Sequence, residues 1–223
     1  MQLAFYLLLV AFSFLSRLSL LTGVRSLLLS TDAFNLRISV FNTTDAAAAI
    51  ASDCVHASPL CNFRSAWAAC QQLAASGSAT TCTIELPRNG SISMNTESYG
   101  SLVLSSNTNI TVEGNNATVA SSVGNSACLF NIFGDTSSTS VTTLSVLSLY
   151  GMTLRGFGDP SKVGGAVYIH GDCFVSLANV TIANSAGSNG GAIYMTNNSL
   201  GLAIDGCSFE HCSATNGGVS GSA

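Results

Sequence analysis

The chain has 223 residues, of which 8% are charged and 47% hydrophobic, with 21 glycines and a formal net charge of −4. That apolar content argues against a disordered polymer, despite the glycine and serine richness, and the length suits one ordinary domain with a full core. There is a single lysine, Lys162, and no basic stripe to neutralise phosphates, so no nucleic-acid partner is expected.

Leu3 to Leu15 is an apolar run of thirteen residues, ended by Ser16 and Arg17. It is too short to span a bilayer but suits the apolar region of a secretory signal peptide. A second apolar stretch, Leu18 to Leu29, is interrupted by Gly23 and Arg25. Acting together, the two would form an uncleaved anchor. Residues 1–30 are therefore read as a signal peptide or N-terminal anchor, and any membrane contact is expected through that segment alone.

Eight cysteines agree with secretion. Cys54, Cys61, Cys70 and Cys82 cluster in the first third after the leader, and Cys207 and Cys212 are five apart. None forms a Cys-x-x-Cys pair and there are only three histidines, which favours disulfides over a zinc site. These six are the disulfide candidates; Cys128 and Cys173 read as small buried core residues. Neither a metal nor another cofactor is expected. Asn-x-Ser/Thr sequons stand at Asn42, Asn89, Asn109, Asn116, Asn179 and Asn197. Chance alone would give roughly four in a chain so rich in Asn, Ser and Thr. These six are glycosylation candidates only where the host modifies secreted proteins.

Residues 31–81 form a lead-in and a helical cap in this reading. Thr31 to Ser58 is irregular, with one short alanine-rich helix after Asp45 as N-cap. Ser65 to Ser76 is the better helix: Ser65 caps it, Trp67, Cys70, Leu73 and Ala74 share one face, and Gly77 stops it. Cys70 and Cys82 flank the turn out of the helix and are placed to tie it to the first strand.

From Cys82 onward the pattern is short apolar alternation broken by small polar turns. Thr83 to Pro87, Ser101 to Leu104, Asn109 to Val112 and Thr118 to Ala120 read as strands. Cys128 to Phe133, Leu144 to Leu149 and Met152 to Leu154 follow. Asp135 to Thr143 is a polar out-loop, and Asp159-Pro160 marks another. The clearest stretch is Gly164 to Gly218, where one unit is written twice: GGAVYIHGDCFVSLANVTIANSAGSN, then GGAIYMTNNSLGLAIDGCSFEHCSATN. Gly-Gly pairs recur at nearly constant spacing, at Gly164-Gly165, Gly190-Gly191 and Gly217-Gly218. Self-similarity at such a period marks a stacked repeat, and three strands with three turns fill one coil of a parallel β-helix. The Gly-Gly pairs read as tight corners with positive φ. Residues 82–223 are expected to make about five coils by this count. A third copy opens at Gly217 and stops within its first strand, so a longer solenoid is expected. Ile193 is predicted to point inward and stack on Val167, leaving Tyr194 partly exposed.

"GGAVY" and "GGAIY", each with an upstream aromatic or aliphatic residue, resemble the repeats of polymorphic outer-membrane proteins. "LPRNGSISM" with "NITVEG" looks like the opening coil of pectin-lyase-like proteins. The resemblance implies an all-β fold, a right-handed parallel β-helix solenoid, here with an N-terminal α-helical cap covering the first coil. The alternating Phe-x-x-Asn motif of the first family is degraded: Phe209 is followed at the third position by Cys212, and Ile182 by Ser185.

An enzyme of this fold would gather carboxylates on one face of neighbouring coils for acid–base work or calcium. Aligning the two copies by their glycines places Asp205 opposite Ala178 and Glu210 opposite Ala183, and no carboxylate ladder is expected. His170 and Asp172 straddle Gly171 and read as a solvated turn. No catalytic residue is therefore assigned. The leading expectation is a secreted or cell-surface non-catalytic β-helix serving adhesion, cell-wall structure or carbohydrate recognition, with a polysaccharide or another surface protein as partner. The rivals are a polysaccharide lyase or glycoside hydrolase, and a membrane-tethered ectodomain.

Overall fold

The computed structural model describes residues 35–45, 51–54, 58–76, 81–104, 108–124, 127–134, 144–196 and 199–216, all within the unit Asn35–Ala223. The leader, residues 46–50 of the alanine-rich stretch, Gly77, the Asp135–Thr143 loop, Asn197 and the Gly217-Gly218 pair lie outside them. The fold is mostly β. Its strands are β1 (Asn35–Ser39), β2 (Thr81–Glu85), β3 (Ser91–Met94), β4 (Leu102–Leu104), β5 (Asn109–Ser121), β6 (Phe130–Phe133) and β7 (Ser145–Arg155). They continue with β8 (Val167–His170), β9 (Cys173–Ala183), β10 (Ala186–Gly187), β11 (Ile193–Met195), β12 (Gly201–Asp205), β13 (Ser208–Glu210) and β14 (Ser213–Ala214).

Every pairing among these strands is parallel. The large sheet runs β1-β2-β5-β7-β9-β12, with β3 also on β5 and β13 on β9; β4-β6-β8-β11 form a second sheet and β10-β14 a third. A parallel neighbour is reached only by a crossover. From β2 onward each return to the large sheet follows at least one strand of another sheet, and between β1 and β2 it follows the helix at Phe63–Ala75. Cys82, Ile110, Leu147, Val175 and Leu202 stand in register on successive strands. Their spacing in sequence is nearly even except between Ile110 and Leu147, where the polar stretch 135–143 adds residues. The arrangement is compatible with a β-helix.

Alternation along each strand sends one set of side chains inward. In β9, Cys173, Val175, Leu177, Val180 and Ile182 are buried, while Phe174, Ser176 and Ala178 between them are partly exposed. Register then stacks like on like: Ile84, Val112, Leu149, Leu177 and Ile204 form one column. The first four are at most 1% exposed and Ile204 is 48% exposed, so the core runs out at β12. The expected register of the two glycine-marked copies is found: Ile193 pairs with Val167, Asp205 with Ala178 and Glu210 with Ala183.

The corners repeat as well. Asn116, Gly151, Asn179 and Gly206 all have φ between 54° and 62° and lie at equivalent bends of successive strands. Asn and Gly tolerate this left-handed conformation, which explains the scattered Asn-Gly usage of the sequence. The two Gly-Gly pairs among the described residues divide two tasks between their members. Gly164 and Gly190 turn the chain, with φ of 83° and 74°. Gly165 and Gly191 serve close approach instead: a Cβ on Gly165 would fall on the carbonyl oxygen of Gly191, and one on Gly191 would strike the Ser213 backbone. Gly165→Ala is therefore expected to cost about 3 kcal/mol, since rigid backbone cannot yield as a side chain does. Urea denaturation followed by circular dichroism measures it, and an unchanged midpoint would contradict this packing.

The lead-in is more regular than its sequence implied. Asn35–Ser39 is a strand in parallel register with Thr81–Glu85. The helix that Asp45 was expected to cap falls on residues outside the described ones; the Asp45 carboxylate accepts from Arg64 Nε and Nη2, both at 2.9 Å, and from the Asn95 amide at 2.9 Å. Helix α1 spans Phe63–Ala75, starting earlier than Ser65 as cap would put it. Asn62 is the N-cap, its Oδ1 accepting from the Ser65 amide at 2.8 Å. Phe63, Trp67 and Cys70 face inward. The Trp67 ring meets Phe130 at a centroid distance of 5.4 Å, and its indole N–H donates to the Val103 carbonyl at 2.8 Å. Gln71 donates to the same oxygen. Val103 belongs to the edge strand β4, so α1 supplies donors to a strand edge that no strand pairs among the described residues.

Two disulfides fasten this region, Cys54–Cys61 and Cys70–Cys82. The second ties α1 to β2 and encloses a short loop. By restricting the unfolded chain it should contribute about 2–3 kcal/mol. A Cys70→Ser, Cys82→Ser variant is expected to lose that amount in urea melts under oxidising conditions; full stability in the double variant would show the bridge to be idle.

Candidate functional site

The outer face of the large sheet carries a row that only the three-dimensional register assembles. Ser39, Glu85, Glu113, Tyr150, Ala178 and Asp205 are successive partners on β1, β2, β5, β7, β9 and β12. Arg37, two positions before Ser39 and on the same face, reaches along it. Its Nε donates to Glu85 Oε1 at 2.6 Å and its Nη2 to Glu113 Oε2. Ser39 Oγ donates to Glu85 Oε2 at 3.0 Å. The hydrogen bonds to Glu85 first, and then to Glu113, hold the guanidinium above its ordinary range. One cation thus bridges two carboxylates that the parallel register would otherwise leave side by side.

Beside this row the sheet has a dent. Between Glu113 and Ala117 the register shifts, because β5 is longer there than the Tyr150–Met152 stretch opposite. The extra residues swing out as Asn115 and Asn116, both at positive φ. The result is a cleft of about 290 Å³ lined by Glu113, Gly114, Asn115, Asn116, Tyr150, Gly151 and Asn179. Asn115 is fixed by donating from Nδ2 to the Leu86 carbonyl at 2.9 Å. Asn116, Tyr150 and Asn179 are exposed. Amide donors, carboxylate and amide acceptors and one phenol ring therefore converge on an open cleft. Such a set matches the alternating hydroxyls and apolar ring faces of a sugar.

As chemistry the pair Glu85–Glu113 is constrained. A glycosidase needs one carboxyl to protonate the leaving oxygen and another to attack or to activate water. Here both carboxylates already give an oxygen to Arg37. Among the described residues no three His, Cys, Asp or Glu side chains converge on a point that would hold a metal ion.

The residues singled out from sequence fall in several places. The exposed sequon asparagines are Asn89, Asn116 and Asn179; Asn42 and Asn109 are half-buried. Asn116 and Asn179 line the cleft. Cys207 and Cys212 are unlinked and half-buried, each Sγ directed to backbone carbonyls, and burial pushes the Cys212 thiol up. Cys128 and Cys173 are buried thiols, as expected, and burial pushes Cys173 up to about 11. His170 is not in a solvated turn. It lies on the outer face of the second sheet, with Phe133 edge-on at 3.8 Å and Tyr168 stacked at 4.9 Å, and burial lowers its pKa.

The Glu85–Glu113–Arg37 row and all of the cleft lining except Asn179 lie ahead of the first Gly-Gly pair, so alignment by glycines does not reach the in-register carboxylates Glu85 and Glu113. The available signal was "TIELP" against "TVEGN", which sets Thr83-Ile84-Glu85 on Thr111-Val112-Glu113. Compared with family models, with curated proteins and with solved structures, the chain matches none.

Proposed function

We propose that the chain is a secreted or cell-surface right-handed parallel β-helix, capped by α1, that recognises carbohydrate without transforming it. The in-register parallel strands and recurrent left-handed corners support the β-helix, and Trp67 and Gln71 on the β4 edge support the cap. Two disulfides fit an oxidising compartment. Among the described residues no helix is long and apolar enough to cross a membrane. The resemblance to polymorphic outer-membrane repeats rests on the Gly-Gly-Ala motif, for which the close approach of Gly165 and Gly191 provides a physical reason.

The observation that carries the reading is the cleft, where Tyr150, Asn116, Asn179 and Glu113 meet on an open face. Affinity electrophoresis through gels containing a panel of plant and microbial polysaccharides tests it. Retardation by at least one polysaccharide is expected, with Tyr150→Ala and Asn116→Ala each weakening binding tenfold or so, the effect of about 1.4 kcal/mol. Migration unaffected by every polysaccharide, or retardation indifferent to both substitutions, would remove the cleft from consideration.

The in-register carboxylates favour one second reading, a hydrolase or lyase. Release of reducing ends or unsaturated products from homogalacturonan, with or without calcium, would establish it. In that case Glu85→Gln and Glu113→Gln should each abolish the release.

A further inference from the structure

On the outer face of the second sheet, Tyr168 of β8 and Tyr194 of β11 are direct register partners. Their rings stack at a centroid distance of 5.6 Å with an interplanar angle of 28°. Both are half-buried, so their ring edges remain reachable. We propose that Tyr168 and Tyr194 form an oxidative cross-linking site, joined by hydrogen peroxide and a peroxidase into a dityrosine that staples β11 to β8.

The step balances simply. Each phenol gives one electron and its hydroxyl proton to the oxidant. The two phenoxyl radicals couple through ring carbons ortho to oxygen, and the ortho hydrogens shift to restore both hydroxyls. One peroxide takes up the two electrons and two protons and leaves as two waters. Proximity supplies what coupling in free solution lacks, since the second radical is already held beside the first. Parallel register also brings the two phenols alongside one another. Burial first, and then the neighbouring Tyr194, holds Tyr168 above the ordinary phenol range.

The placement has a mechanical consequence. Beyond β8 the core thins: Val167 is fully buried, its partner Ile193 is half-buried, and Met195 is 41% exposed. A covalent rung there ties the least covered strand of this sheet to a well-packed one. Tyr99 and Tyr150 are 38% and 41% exposed, and neither has a tyrosine ring stacked on it among the described residues. They serve as internal controls for accessibility without proximity.

The test is to treat the purified chain with horseradish peroxidase and hydrogen peroxide, then map peptides by mass spectrometry. The expected product is a linked Tyr168–Tyr194 peptide pair, two hydrogens lighter than the sum, in the monomer fraction. Its appearance should be accompanied by dityrosine fluorescence and a rise of several degrees in Tm. Tyr168→Phe and Tyr194→Phe keep the stacked rings and should each abolish the linked pair and the Tm rise. Absence of that pair would overturn the proposal. So would dityrosine found only between molecules or at Tyr99 and Tyr150, or a linked product persisting in the Tyr194→Phe chain.

Discussion

Val167→Asp is expected to prevent stable folding. Val167 is fully buried, stacked between Phe130 and Ile193 in adjacent strands. Its amide donates to the Ala192 carbonyl at 3.1 Å, so the backbone is held and cannot rotate the new carboxylate outward. A carboxylate there, set between Phe130 and Ile193, must either remain charged in an apolar column or take up a proton. Either outcome costs about 5 kcal/mol or more, comparable with the whole stability of a typical domain. Ile193→Asp makes the informative contrast. It occupies the same column one strand later, yet it is half-buried, and water reaches the new charge. Its cost should be about 2 kcal/mol, less than a fully enclosed position would carry. Urea denaturation of both variants measures the difference. Equal losses would mean that something covers β11 as fully as β11 covers β8.

That contrast also marks how far the sequence carried. Two copies with glycines at nearly constant spacing are enough to pair Ile193 with Val167 and Asp205 with Ala178. Glycine is legible because a left-handed corner and a backbone contact each admit little else. Upstream the spacing is unequal: the extra residues at 135–143 and the register shift after Glu113 break the period. The repeat then has no anchor there, and nothing in the spacing brings Glu85 to Glu113. The strand Asn35–Ser39 was hidden for a related reason. Only Leu36 and Ile38 alternate within it, and its partner Thr81–Glu85 lies beyond the whole of α1. At the helix start, Asn62 and Ser65 are both good caps three positions apart, and local chemistry does not choose between them. Burial chose: the early start lets Phe63 reach Phe130 across 6.2 Å between ring centroids. The cleft was the least legible feature, because it is made by an insertion in one strand measured against its neighbour.

Asp45→Ala should be the most damaging polar substitution. Asp45 and Arg64 form an ion pair whose side chains are 4% and 9% exposed, with two hydrogen bonds of 2.9 Å. The pair joins three segments that are distant in sequence. Asp45 also accepts from the Asn95 amide, and Arg64 Nη1 donates to the Tyr99 carbonyl at 3.2 Å, with its guanidinium 5.9 Å from the Tyr99 ring. Removing the carboxylate leaves a buried guanidinium with one carbonyl and a ring face, and leaves the Asn95 amide without this acceptor. Breaking a buried pair from one side costs about 3–5 kcal/mol, because the remaining charge is uncompensated. Replacing both residues, as Asp45→Ala with Arg64→Met, removes the stranded charge and should recover much of that loss. Native-state hydrogen exchange then locates the damage. In Asp45→Ala, protection should fall first in α1 and around Asn95–Tyr99, while β7 and β9 in the middle of the large sheet keep theirs. A double variant no more stable than Asp45→Ala would show that the cost lies in the lost Asn95 contact and not in the charge.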